Sequence, residues 1–344
     1  MFAAARLYRL TLATLLATGL AACSGTLAAI DFSLESRKEL GRQLPVDPDQ
    51  PLLGRAKPIP PRLLEGWRAA DLSMGKQPHR YATHPLSGAE RQMLQQALAT
   101  LPENWQALLR QKLAGIFFVD QLLGGGISDW VVAPDGSVAY TMILNPALFR
   151  HTAAEWLDLR ENASFAKGPL HLAAGGWDGV SALTYVLWHE SAHLLDYERR
   201  ITPYVEAELR DFRRDPDASS PFTQAVWQKI DEPLPAFDFE NRKSLNPYRM
   251  NENKPLLPNR DLASLFDAWS RTPFVSLYAS GSWTEDLADF AAFRLQAERS
   301  GKEPYWELRN GGKSLGRFEP MGEVLNRERE RESERIFGAA SRVR

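Results

Sequence analysis

His189-Glu190-Ser191-Ala192-His193 lies inside the run DGVSALTYVLWHESAHLLDY, residues 178–197, and the reading of this stretch decides the fold around it. Val180, Leu183, Val186, Leu187, Leu194 and Leu195 recur at helical spacing, Tyr185 and Trp188 fall on other faces, and no proline or interior glycine follows Gly179. The pattern predicts a helix buried nearly all round, capped by Asp178 or Ser181 after the Gly175-Gly176 break. HExxH on a helix sets two imidazoles one turn apart on one face, which is half of a zinc site. Glu190 stands beside them, where a carboxylate can take a proton from a metal-bound water. Polar side chains inside so apolar a helix are costly without partners, and a metal supplies one. With six histidines in 344 residues, chance yields such a motif on the order of once in a hundred chains, so composition does not account for it.

No histidine follows His193, so a third histidine six residues on is excluded and a carboxylate must finish the site. The candidates are Asp196, Glu206, Glu208, Asp211 and Glu285. Asp196 comes one turn after His193, too close along the same helix to close a tetrahedron comfortably, and is expected to support the ligands from behind. Glu285 opens the run Glu285-Asp286-Leu287-Ala288-Asp289-Phe290-Ala291-Ala292-Phe293, whose helical period puts Glu285 and Asp289 on one face. Glu285 can then bind zinc while Asp289 accepts the free ring N–H of a ligating histidine.

HExxH followed at a distance by ExxxD resembles the gluzincin metallopeptidases. HESAHLLDY together with PFVSLYASGSWTEDLADFAAF resembles the branch with lethal-factor-type and Mlc-titration-factor-type peptidases. The resemblance covers roughly residues 178–200 and 272–295. It implies His189, His193 and Glu285 as zinc ligands, Glu190 as general base, Tyr278 as oxyanion donor, and Asp289 behind a ligand histidine. The fold it implies is α+β: a zincin-like catalytic domain with a small mixed sheet, the HExxH active-site helix and a mainly helical C-terminal part. The activity implied is that of a zinc metallopeptidase, expected to be an endopeptidase. Two other classes compete with it: a zinc amide hydrolase acting on peptidoglycan peptides, and an inactive zincin-like scaffold in the envelope.

Such a peptidase pairs its substrate to a sheet edge. Residues 114–120 read as a buried strand, and 129–133, Pro134-Asp135-Gly136 and 137–144 as a hairpin. Ser137 to Leu144 and Leu170 to Ala173 are both candidates for the substrate edge.

The first 22 residues read as a signal peptide, with Arg6 and Arg9 ahead of an apolar stretch from Leu10 to Leu20. Leu20-Ala21-Ala22-Cys23 resembles the bacterial lipobox, which implies lipidation of Cys23. Ser24 resembles an outer-membrane sorting signal, so the expected place is the envelope, anchored by lipid and facing the periplasm, with protein or peptide substrates there. Cys23 is the only cysteine, which leaves no disulfide and no thiolate ligand. Formal charge is −2, or about −4 without Arg6 and Arg9, and this balance argues against a nucleic-acid partner.

Six prolines between Pro45 and Pro61 suggest that residues 23–61 are a tether ahead of a domain spanning 62–344. Ser87-Gly-Ala-Glu90 predicts a capped helix, and Pro102 opens a second. Seven prolines between Asp215 and Pro258 mark an insertion at about 214–260, an ordered lid near the cleft or a solvated loop, whose Trp227, Phe237, Phe239 and Tyr248 favour packing. The C-terminal NRERERESERIF is expected to be a helix with a solvated charged face. His79, His84, His151 and His171 have no ligand spacing and are expected to be surface or structural.

Overall fold

The computed structural model describes residues 34–73, 79–203, 221–322, 326–329 and 331. The expected signal peptide, Cys23 and Ser24 lie outside them. Among the described residues no helix is long and apolar enough to cross a membrane.

The protein is mixed α+β. Ala82–Thr83 (β1), Leu113–Asp120 (β2), Gly126–Val132 (β3) and Val138–Leu144 (β4) form one sheet in the order β1-β2-β4-β3. The expected hairpin joins β3 to β4 in antiparallel register, Val132 opposite Val138, and turns through Gly136 at φ 81°. β4 also pairs with β2 in parallel, so it is an interior strand. Ser137 to Leu144 therefore cannot be the substrate edge: both sides of that strand carry ladder bonds, and the edges of this sheet are β1 and β3.

The strands are apolar on both faces, which obliges both to be covered. Ile116, Phe118, Tyr140 and Met142 face a large cluster shared with the helices. Phe117, Val119, Val131 and Ile143 face a smaller one with Leu40, Leu44, Ile59, Leu63 and Leu64. That second face corrects the tether reading. Leu34–Gln43 (α1), the turn Leu52–Arg55 and Pro61–Ser73 (α2) are part of the body, not a spacer. Buried Arg55 donates to the carbonyls of Leu109 (3.0 Å) and Asp47 (2.6 Å) and also to those of Leu113 and Arg110. The prolines shape a close-fitting cover because the sheet behind them has apolar side chains to bury.

Gly88–Ala99 (α3) opens with the Ser87–Glu90 capping box, and Glu103–Lys112 (α4) follows Pro102. Thr152 and Glu155 form a second box at Ala153–Asn162 (α5). The central helix is Ala182–Arg199 (α6), capped by Ser181, and every residue from Ala182 to Tyr197 is buried. Leu262–Trp269 (α7) and Trp283–Ser300 (α8) follow, and α8 packs along α6. A second antiparallel sheet joins Leu170–Gly175 (β5), Tyr305–Asn310 (β8) and Lys313–Phe318 (β9), while Trp227–Lys229 (β6) and Glu232–Pro233 (β7) make a short ribbon.

The hairpin β8–β9 makes the C-terminal part less helical than expected, because Trp306 on β8 fills a pocket lined by Trp269 and Phe293. The last described residues also differ from a wholly solvated face: Asn326 and Arg329 are buried, while Arg327, Glu328 and Arg331 are exposed.

Candidate metal centre

The helix α6 presents His189 and His193 one turn apart, their rings edge to face with centroids 4.8 Å apart. Glu285 enters from the first turn of α8, where Ser282 caps the helix by accepting the Glu285 N–H at 3.3 Å. His189 Nε2 lies 3.2 Å from His193 Nε2 and 3.1 Å from Glu285 Oε2, and His193 Nε2 lies 3.6 Å from that same oxygen. A triangle with these edges has a point about 2 Å from all three atoms, the length of a zinc–nitrogen or zinc–oxygen bond. The donor set therefore fits a zinc-sized cation. Among the described residues it is the one group of three or more His, Cys, Asp or Glu side chains able to hold a metal.

Behind His189, Asp289 accepts the Nδ1–H at 2.8 Å, which turns the other ring nitrogen toward Glu285 and the centre of the triangle. Asp289 is held on every side. Arg160 of α5 donates to both its oxygens, at 3.2 and 2.7 Å, Tyr185 donates its hydroxyl at 2.5 Å, and Ser276 Oγ donates as well. Burial disfavours the Asp289 anion, yet Arg160 and His189 hold the carboxyl well below the usual range. Glu285 behaves likewise: burial opposes its charge, and the two histidines more than reverse that. Burial also opposes protonation of His189, but Asp289 and Glu285 raise it to about 10. The pocket thus demands a positive charge at its centre, from a proton or from a metal.

This chain matches no family model, no curated protein and no solved structure. Its chemistry has to be read from its own side chains.

Glu190 points to the other flank of the histidines, toward β3. Ser128 Oγ is 2.8 Å from Glu190 Oε2 and 3.1 Å from the Glu190 carbonyl oxygen. A Cβ at Gly126 would stand 2.7 Å from Glu190 Oε1, so only glycine leaves this carboxylate its place. Burial pushes Glu190 upward, opposed by His189, His193 and Ser128. Tyr278 stands with its ring centroid 5.9 Å from that of His189. Burial and the charge of Glu285 raise its hydroxyl well above 10, so it stays an O–H donor. Arg160 stacks over the Tyr278 ring at 4.6 Å, and Glu161 accepts the Tyr278 N–H at 3.2 Å.

His189, His193, Glu285, Glu190, Tyr278 and Asp289 are thus brought together. Asp196 serves elsewhere: its two oxygens take the N–H and hydroxyl of Thr202, at 2.7 and 2.6 Å, where the chain leaves α6 through Arg200 at φ 54°. Glu206, Glu208 and Asp211 lie outside the described residues. His84 bridges Glu90 and Asp120.

Four further residues of the site escape a reading of the sequence. Tyr185 had a signal, one helical turn before His189. Arg160, Ser276 and Ser128 had none, because each arrives from a separate element. The insertion contributes Tyr248, whose ring meets that of Tyr278 edge to face at 6.1 Å and whose hydroxyl accepts Trp156 Nε1–H at 2.9 Å.

Proposed function

We propose that this protein is a zinc-dependent metallopeptidase of the gluzincin type, built on a zincin-like fold. The observation that carries the reading is the buried His189–His193–Glu285 triangle with Asp289 fixing the far nitrogen of His189 and Glu190 on the opposite flank. His189, His193 and Glu285 would hold the ion, leaving one tetrahedral position open. Bound zinc supplies Lewis acidity, bringing the pKa of water to roughly 7 and polarising a carbonyl.

The protein's own groups do the remainder. Ser128 anchors Glu190 Oε2, and Oε1, beside the Gly126 backbone, takes the proton of the attacking water and passes it to the leaving amine. Tyr278 donates its hydroxyl proton in a hydrogen bond to the carbonyl oxygen as negative charge builds there. Arg160, through Asp289 and the Tyr278 ring, keeps both sides of the site in register. An extended substrate would pair with the edge of β3, the strand that carries Ser128. Cys23 would carry the lipid that holds the enzyme in the bacterial envelope.

Zinc content and cleavage of a mixed-peptide library, measured together on the purified protein, test the reading. One zinc per chain is expected, retained by Glu190→Ala and lost by Glu285→Ala, with cleavage abolished in both. A protein that takes up no zinc, or a Glu285→Ala variant that keeps all of it, overturns the ligand set.

A further inference from the structure

The open edge of β3 is very short. Residues of an antiparallel strand point their N–H and C=O alternately toward one neighbour and the other. Arg37 Nη1 of α1 donates to the Trp130 carbonyl at 2.7 Å, so Trp130, and with it Gly126, Ser128 and Val132, faces away from β4. Asn145 N–H, at the end of β4, bonds the Gly125 carbonyl at 2.9 Å, which sets the opposite parity for the odd positions. The outward groups of Trp130 and Val132 are already covered. Arg37 also pairs with Asp129 at 2.7 Å and stacks 3.9 Å over the Trp130 ring, and Gly41 packs so close to the Val132 carbonyl that a Cβ there would overlap it. Helix α1 thus lies along the second half of the edge. Ser128 keeps only 2% of its exposure.

The other end is closed by the insertion. Tyr248 and Arg249 stand at φ 55° and 57°, a left-handed pair without glycine, held by a clamp in which Asn246 bonds Asn251 twice, at 2.7 and 3.1 Å, and Ser164 once, at 2.7 Å. Strain of this kind persists only where the surroundings impose it. It aims Tyr248 and Met250 at the chain just before β3: a Cβ at Gly124 would be 3.0 Å from Met250 Cε and 3.5 Å from Tyr248 Cδ2. Between this strap and α1 lie the outward groups of Gly126, on a half-buried residue, and of Ser128, on a buried one, about three residues of strand or roughly 10 Å.

We infer that the site takes short peptides and excludes long polypeptide chains. The inference rests on the peptidase reading above and replaces a general endopeptidase with one whose groove has two end walls, α1 at Arg37 and the strap at Tyr248.

The test uses the zinc-loaded full-length protein with unstructured peptides from dipeptides to about twenty residues, a denatured carboxymethylated protein, and product mapping by mass spectrometry. The rate constant kcat/KM should fall at least about tenfold from peptides of about five residues to those of about twelve, with every cut within about three residues of a terminus. Arg37→Glu, which sets two acids against each other at Asp129, should narrow that gap by raising the long-peptide rate. Equal rates across the wild-type series, internal cuts in long chains, or digestion of the denatured protein overturn the inference while leaving the peptidase intact. An Arg37→Glu protein that melts like wild type yet keeps the same length profile removes α1 as a wall. Zinc-loaded protein that cleaves nothing overturns the peptidase reading itself, and the inference falls with it.

Discussion

Asp289 joins the largest number of parts of the site. It fixes His189 and is itself fixed by Arg160, Tyr185 and Ser276, so its removal frees a ligand and takes one of two carboxylates from the buried Arg160 guanidinium. Asp289→Asn should weaken zinc binding by about 10–100-fold, read by chelator competition, since a support of this kind typically contributes that much. Glu161 gives a second prediction. It is fully enclosed, and although Arg160 Nε donates to it at 2.7 Å, that guanidinium is shared with Asp289, so burial wins and lifts Glu161 from its ordinary 4.5 to about 7. An acid raised in the folded state binds its proton more tightly there than in the unfolded chain, so stability falls as pH climbs from 4.5 to about 7 and levels off above. Glu161→Gln lacks that titration. Its melting temperature relative to wild type should therefore rise across this window, and a difference independent of pH would count against the assignment. At this scale the i, i+4 histidines and the Glu285–Asp289 face were legible, because helical spacing is local. Arg160 and Ser276 were not: they lie 129 and 13 positions from Asp289 and meet it only through the packing of α5 and the loop before α8.

Two helix starts separate what an element contributes to stability from what it contributes to the site. Ser181 caps α6 by accepting the Thr184 N–H at 3.1 Å, two turns ahead of His189, whereas Ser282 caps α8 at the Glu285 N–H itself. Loss of either hydroxyl should cost about 1 kcal/mol, the usual worth of such a cap, in denaturant unfolding. Only Ser282→Ala should also loosen zinc, because fraying the first turn of α8 moves a ligand, while fraying α6 stops short of His189. Equal zinc affinity in both variants would show that packing rather than the cap holds Glu285. The elements themselves were largely readable: α3, α4, α6, α8 and the β3–β4 hairpin follow from apolar period, caps and turn residues. Strand order was not, since the parallel pairing of β2 with β4 joins chain segments that no local pattern links. For the same reason a proline-rich stretch passed for a tether, its apolar residues having meaning only once the second face of the sheet is known to need a cover.

Across the whole molecule, neighbouring acids on α8 face opposite duties. Glu285 looks into the site, while Asp286 looks away from it into a buried ion pair with Arg329 at 2.5 Å, and also accepts Trp227 Nε1–H at 2.8 Å. Arg329 and Asn326 further donate to the Pro273 carbonyl, at 3.1 and 2.9 Å. One carboxylate therefore ties together α8, the insertion that bears Tyr248, the loop leading to Tyr278, and residues from the chain's last twenty. Burial pushes Asp286 upward and Arg329 opposes it, so the anion depends on its partner. Arg329→Met should then cost about 3–5 kcal/mol in chemical unfolding, the usual result of leaving one buried charge unpaired. Asp286→Asn combined with Arg329→Met should recover much of that loss, because the orphaned charge is gone. If the pair acts only as a frame, the double variant should bind zinc as tightly as wild type. Should its zinc affinity fall while its stability is regained, the frame behind α8 would be setting the position of Glu285 as well.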